Sequence, residues 1–273
     1  MSQATVTHEP STDHDHSLSP PPPAKRAKER YAIVVGASSG MGAALVRQLA
    51  REGVRVAAIA RRRELLEQLA RECGSNVIPI AHDVAHFDQV PELFERTVRD
   101  LGGLDLFVYA SGIMLEVGAS EFDTGKDLDM LAVNVGGCVA WSNEVAKLFR
   151  TQRSGTIVGI SSIAGERGRK GNPMYGTTKA AMNHYLEALR NRLADHDVHV
   201  CTIKPGFVET AMIAQARAQG RTIKGAISPE AAARQILRAA RWRCNEAFVP
   251  LKWGLIAFVI RNIPSFLFKG MNI

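Results

Sequence analysis

Tyr175 and Lys179 are the residues of this chain best placed to move a proton. They stand four apart at the start of a strongly helical segment, so their side chains share one helix face. An ammonium beside a phenol favours the phenolate, which predicts a tyrosine pKa below its ordinary value of about 10. A tyrosine tuned in that way both gives and takes a proton near neutral pH. Ser162 lies 13 residues before Tyr175, at the end of an apolar run. Asn134 sits inside Val133-Asn134-Val135-Gly136-Gly137 of the preceding helical stretch. A developing alkoxide needs a hydrogen-bond donor, a proton and a positive field, and these side chains supply all three.

A second group of residues suits phosphate. The first apolar run leads straight into Gly36-Ala37-Ser38-Ser39-Gly40-Met41-Gly42, and a helical pattern follows. This G-x-x-x-G-x-G spacing differs from the G-x-G-x-x-G fingerprint but shares its physics. Glycines allow a tight turn and close backbone approach, and the helix N-terminus faces a pyrophosphate. Gly36, Ser38, Ser39, Gly40, Met41 and Gly42 are therefore expected to contact a dinucleotide. At the end of the second apolar run, Ala60 is followed by Arg61, Arg62 and Arg63. An acidic residue there would serve the ribose 2′-hydroxyl of NAD, whereas guanidinium groups beside a neutral residue suit a 2′-phosphate. NADP(H) is the expected cofactor; the plainer alternative is a basic first turn of a surface helix.

These groups need a scaffold that brings distant segments together. Short apolar runs at 31–35, 54–59, 77–81, 104–109, 155–161, 198–203 and 246–249 predict strands. Amphipathic stretches near 40–52, 62–73, 87–101, 124–151, 173–194 and 228–242 predict helices between them. The alternation predicts an α/β fold: a Rossmann-like, doubly wound parallel sheet of about seven strands in a single domain. That domain spans 31–250. A Pro-rich stretch at 1–30, poor in large apolar residues, reads as a disordered tail, and 251–273 as a basic, apolar C-terminal extension.

In this order and spacing the chain resembles the short-chain dehydrogenase/reductase superfamily over about residues 31–210. The resemblance implies that Asn134, Ser162, Tyr175 and Lys179 form its catalytic tetrad. Tyr175 would protonate a carbonyl oxygen as NADPH delivers hydride, with Ser162 hydrogen-bonded to that oxygen. Lys179 would hold the nicotinamide ribose, and Asn134 would support a water relay. It also implies cofactor contacts at Asp83 and Val84 after the third strand, at Ala110 and Gly112 after the fourth, and at Pro205, Gly206, Val208 and Thr210 after the sixth. Two positions depart from the family pattern: Val35 replaces a threonine, and Tyr109-Ala110-Ser111-Gly112 replaces Asn-Asn-Ala-Gly. Ser161–Lys170, Ile203–Val208 and Val259–Lys269 together resemble a narrower group, the mycobacterial decaprenylphosphoryl-2-keto-pentose reductases, which reduce a ketone on a lipid-linked sugar. The implied substrate is a small-molecule or lipid-linked ketone or alcohol. A steroid, retinoid or 3-ketoacyl reductase and a non-catalytic NADP(H)-binding protein are the alternatives. Membership implies a homodimer or homotetramer through the 124–151 and 173–194 helices.

Composition sets the bounds. The 273 residues are 46% hydrophobic and 22% charged, enough for a sizeable core, and no apolar run is long enough to span a bilayer. Four scattered cysteines fit neither a zinc site nor a disulfide framework, no apolar secretory segment is seen, and no metal is expected. The net charge of +7 is local. Residues 241–273 hold Arg241, Arg243, Lys252, Arg261 and Lys269 against Glu246 alone. No interleaved aromatic-basic stripe points to nucleic acid. Trp253, Ile256, Ala257 and Ile260 fall at helical spacing among those cations, which suits peripheral membrane contact or a pocket lid. A cytoplasmic protein, peripheral to the membrane if the first holds, is expected.

Overall fold

The computed structural model describes residues 30–271 except 119, 219 and 221. The expected tail therefore lies outside the described residues, apart from Arg30. Seven strands form the sheet: β1 (Tyr31–Val35), β2 (Arg55–Ala60), β3 (Val77–Ala81), β4 (Leu106–Tyr109), β5 (Thr156–Ile160), β6 (His199–Pro205) and β7 (Glu246–Val249). Their spatial order is β3-β2-β1-β4-β5-β6-β7, and every neighbouring pair is parallel. The register sets Val34 beside Ala58 on one side and Val108 on the other. Strands covered on both faces have no reason to alternate polar with apolar, so β1, β4 and β5 read as continuous apolar runs. The order reverses between β1 and β4, which opens a crevice at the carboxyl ends of those strands.

Among the described residues, ten helices follow in chain order: α1 (Gly40–Arg51), α2 (Arg63–Cys73), α3 (Val90–Leu101), α4 (Thr124–Leu131), α5 (Gly137–Gln152), α6 (Pro173–Leu193), α7 (Ala211–Ala218), α8 (Pro229–Arg241), α9 (Lys252–Asn262) and α10 (Ser265–Phe268). One face of the sheet packs α1, α2 and α8 through Val34, Leu45, Leu49 and Ile236. The other packs α3, α5 and α6 through Ile33, Phe107, Trp141 and Leu186. At roughly 1.5–3 kcal/mol for each large side chain fully buried, these two layers provide the main drive to fold.

The structure corrects three expectations. The single helix over 124–151 is broken by a wide π-type turn at Ala132–Gly136. Tyr109 donates to the Val133 carbonyl at 2.6 Å, and Asn134 turns inward to the backbone of Ile113 and to Thr178. Gly137 makes the approach feasible: a Cβ there would lie 2.4 Å from the Tyr109 hydroxyl. Between the expected strand at 198–203 and the expected helix at 228–242, where no element is predicted, the chain forms α7. The patch named at 253–260 is also oriented differently. Trp253 packs edge-on against Phe207 with ring centroids 5.1 Å apart, and Ala257 is buried. Ile256 is exposed as expected, together with Leu251, Leu255, Phe258 and Val259.

Candidate active site

The crevice holds a cavity of about 380 Å³. Its floor is the turn between β1 and α1. Gly36 has φ +88°, and a Cβ there would lie 2.4 Å from the Ser111 amide nitrogen. A Cβ at Gly42 would come 2.1 Å from the Gly36 carbonyl oxygen. These glycines bring the backbone of β1, α1 and the β4 end closer than any side chain would permit. Ser38, Ser39, Gly40 and Met41 complete the turn and line the cavity. Arg62 reaches back to this turn and donates to Ser38 Oγ at 2.8 Å and Ser39 Oγ at 2.7 Å. Two hydroxyls and a guanidinium thus converge where β2 ends, a donor set suited to an anion. Arg61 also lines the cavity and pairs with Asp83 at 3.6 Å, while Arg63 is the first residue of α2.

On the opposite wall, β5 ends at Ile160, and Ser162 follows in extended backbone with its Oγ accepting from the Ala164 amide at 3.1 Å. Asn172 precedes α6 with φ +55°, a left-handed conformation asparagine tolerates, and donates to the Leu115 carbonyl at 3.0 Å. Pro173 then starts the helix that carries Tyr175 and Lys179 on its buried face. Lys179 Nζ donates to the Ile160 carbonyl at 3.0 Å and lies 5.8 Å from the Tyr175 ring centroid. A Cβ on Gly112 would sit 3.3 Å from Lys179 Nζ and 3.4 Å from Asn134 Oδ1, so a larger residue there would crowd both groups.

The titration of the pair differs from the sequence expectation. Burial raises the Tyr175 pKa, and a hydrogen bond with Ser162 and the charge of Arg169 only partly oppose it. Burial also pulls Lys179 down to about 8. Spacing predicts a pKa below the ordinary value; desolvation instead raises it, because removing an ion from water outweighs an ammonium held by a β5 carbonyl, and the phenol stays protonated at neutral pH. The site as built therefore presents a proton donor.

Of the residues expected to contact cofactor or substrate, those from Gly36 to Gly42, Arg61, Arg62, Val84, Ala110, Gly112, Ser162, Tyr175, Lys179, Pro205, Gly206, Val208 and Thr210 all line the one cavity. Asp83 and Asn134 do not. Asp83 accepts from the Ala85 amide and faces Arg61. Asn134, fully buried, accepts from the Ile113 amide at 2.8 Å and donates to the Ile113 carbonyl and Thr178 Oγ1. It acts by fixing the chain after β4 against α6. Sequence reasoning missed His82, Ser111, Ile113, Met212 and Ile213 in the lining. His82 directly precedes the expected pair Asp83-Val84, and Met212 lies in the first turn of the unforeseen α7, two residues after Thr210, so proximity to a motif is the available signal. Tyr175 packs in an apolar cluster with Val117, Met130 and Ala164, against which Met114, Leu115, Met174 and Met212 lie; of these, Met212 also lines the cavity.

Residues 30–221 match the family model described as short chain dehydrogenase. An uncharacterised oxidoreductase of Staphylococcus saprophyticus is 33% identical over 189 residues, 68% of this chain and 81% of that protein. Among solved structures, ElxO with NADP bound superposes with a TM-score of 0.74 at 21% identity, covering 83% of this chain and all of that one. A single-residue variant of actinorhodin polyketide ketoreductase with NADPH gives 0.74 at 25% identity, covering 81% of this chain and 95% of that one.

Proposed function

The chain belongs to the short-chain dehydrogenase family, and on that premise we propose that it is an NADPH-dependent reductase of an apolar ketone. The observation that carries this reading is a single cavity with a glycine turn and Arg62-Ser38-Ser39 at one end and Ser162, Tyr175 and Lys179 at the other. The residues fit NADP(H). Glycines free the backbone amides for a pyrophosphate, and Arg62 with two serines offers charge-assisted donors to a 2′-phosphate. Ala60 brings no carboxylate to repel it. Two structural relatives were crystallised with NADP or NADPH, which favours the same choice.

When bound, NADPH supplies the hydride. Tyr175, held protonated by burial, donates its proton to the carbonyl oxygen as that oxygen gains negative charge. Ser162 steadies the same oxygen by a hydrogen bond. Lys179, close to its titration point at neutral pH, faces the resulting tyrosinate and favours it. Asn134 keeps the Ile113 backbone and α6 in register around them. Ile113, Met212 and Ile213, apolar in the lining, support an apolar substrate, and a keto-sugar carried on a lipid is the form this reading favours. The protein works as a homodimer or homotetramer through α5 and α6. Among the described residues no helix is long and apolar enough to cross a membrane, so any membrane contact is peripheral, through α9 and α10.

The test is NADPH oxidation across keto-sugar lipids, steroids and 3-ketoacyl substrates. Tyr175→Phe is expected to lower turnover at least a hundredfold while NADPH still binds, read by cofactor fluorescence. Undiminished turnover in that variant would refute the mechanism.

A further inference from the structure

A second cavity, of about 410 Å³, lies where the loop after β5 meets the C-terminal helices. Its wall carries Arg167, Arg169, Lys170 and Lys269, together with the Ser265 hydroxyl and the Phe268 ring, and no carboxylate lines it among the described residues. Arg167 builds this pocket. Its guanidinium donates to the Ile260 and Ile263 carbonyls at 2.7 and 2.5 Å and lies 4.0 Å from the Phe268 ring centroid. The loop is fastened a second time by Glu166, which pairs with Arg261 at 2.5 Å. Lys170 and Lys269 are exposed, and Arg169 is half-buried.

We infer that this pocket seats the phosphate of an anionic lipid, whose chain lies along the outward face of α9 and α10. Lys170 and Lys269 stand exposed beside Arg167 in a pocket that no carboxylate lines among the described residues, and guanidinium and ammonium groups match phosphate oxygens. Phe266 and Leu267 stand exposed within α10 (Ser265–Phe268), and Leu255 and Phe258 are exposed on α9. Large apolar side chains beside a basic pocket are what a lipid headgroup region accepts and what bulk water penalises. Arg169, which lines this pocket, stands in the loop between Ser162 and Tyr175. This assignment rests on the proposed lipid-linked substrate and gives that substrate a second point of attachment.

The full chain should be sedimented with vesicles of phosphatidylcholine alone or with 30% phosphatidic acid, at low and high salt, against a Lys170→Gln/Lys269→Gln variant. Wild type is expected to bind the anionic vesicles at low salt, with the double variant about thirtyfold weaker. Phe266→Ser/Leu267→Ser is expected to weaken binding as well, and equal melting temperatures show that each variant folds. Three results would overturn the inference. One is equal binding by wild type and the lysine variant, and another is equal binding to neutral vesicles. The third is self-association abolished by Phe266→Ser/Leu267→Ser without vesicle binding, which assigns the face to a second copy. Calorimetry with inorganic phosphate separates sources: saturation by the free ion as tight as vesicle binding rejects the lipid. Vesicle binding is read without turnover, so its loss leaves the reductase reading standing, and a dead reductase leaves this one.

Discussion

Replacing Lys179 by methionine should abolish turnover and yet stabilise the fold. The Lys179 ammonium is buried beneath the cavity, and burial pulls its pKa from 10.5 down to about 8. That depression penalises the charged form by about 3 kcal/mol at neutral pH, where both folded and unfolded chains carry the proton. Methionine removes the penalty at similar volume but leaves the Ile160 carbonyl without its 3.0 Å donor, which costs about 1–2 kcal/mol. The net expectation is a gain of about 1–2 kcal/mol, or roughly 3–6 °C in melting temperature. The pH dependence gives the sharper test. The folded pKa lies below the unfolded one, so between about 8 and 10.5 the unfolded chain holds the extra proton. Wild-type stability therefore gains from this group as pH rises through that window, in full above 10.5, and loses it as pH falls through 8. The variant lacks the group, so the two stabilities should converge and then cross between pH 7 and 10. Urea unfolding at half-unit pH intervals measures this. Parallel curves, or a variant weaker by more than about 1 kcal/mol at pH 7, would show that the lysine is not desolvated as described.

Two further outcomes follow from the same geometry. Arg62→Glu places a carboxylate against Ser38 and Ser39 where the guanidinium now donates two hydrogen bonds; the KM for NADPH should rise tenfold to a hundredfold while that for NADH falls, and an unchanged ratio would remove Arg62 from the cofactor site. Lys204→Met leaves Glu166, buried at 1% exposure, with only Arg261 as partner after losing a 3.0 Å ion pair; unfolding free energy should drop by about 3 kcal/mol, and adding Glu166→Gln should restore part of it in a double-mutant cycle.

What the sequence made legible was whatever local chemistry demands of particular residue types. Gly36 and Gly42 are required because backbone atoms occupy the space of their Cβ atoms, so the turn reads directly. Tyr175 and Lys179 read as a pair because four residues bring side chains onto one face. The inner strands β1, β2, β4 and β5 read as apolar runs because helices cover both faces of the sheet there, whereas β3 and β7 at its edges keep exposed positions. The wide turn at Ala132–Gly136 was hidden, since one extra residue per turn barely shifts an apolar pattern over so long a stretch. The sign of the Tyr175 shift was hidden too: spacing reports the neighbouring charge but not the burial that outweighs it. The orientation of α9 could not be read because the helix is apolar on several sides, and packing of Trp253 against Phe207 and Gly206 decides which side turns inward.

The departure at Tyr109 shows how a missing family residue is replaced by physics rather than by identity. Where the family pattern places an asparagine to tie the β4 end to its surroundings, this chain has a buried phenol that donates to the Val133 carbonyl. That bond lands one residue before Asn134, at the wide turn. Asn134 in turn holds Thr178, the neighbour of Lys179 on α6, and Ser161 Oγ donates to the Lys179 carbonyl from the β5 side at 3.0 Å. The Tyr175–Lys179 turn is thereby fixed from two strands at once, through bonds made entirely by buried side chains. Displacing reacting groups by about 1 Å can cost a hundredfold in rate, so this bracing is where positional accuracy is set. The aromatic ring that replaces asparagine needs more space than it did, and Gly137 provides it; any side chain at Gly137 would push the phenol off Val133 and loosen the site at its base.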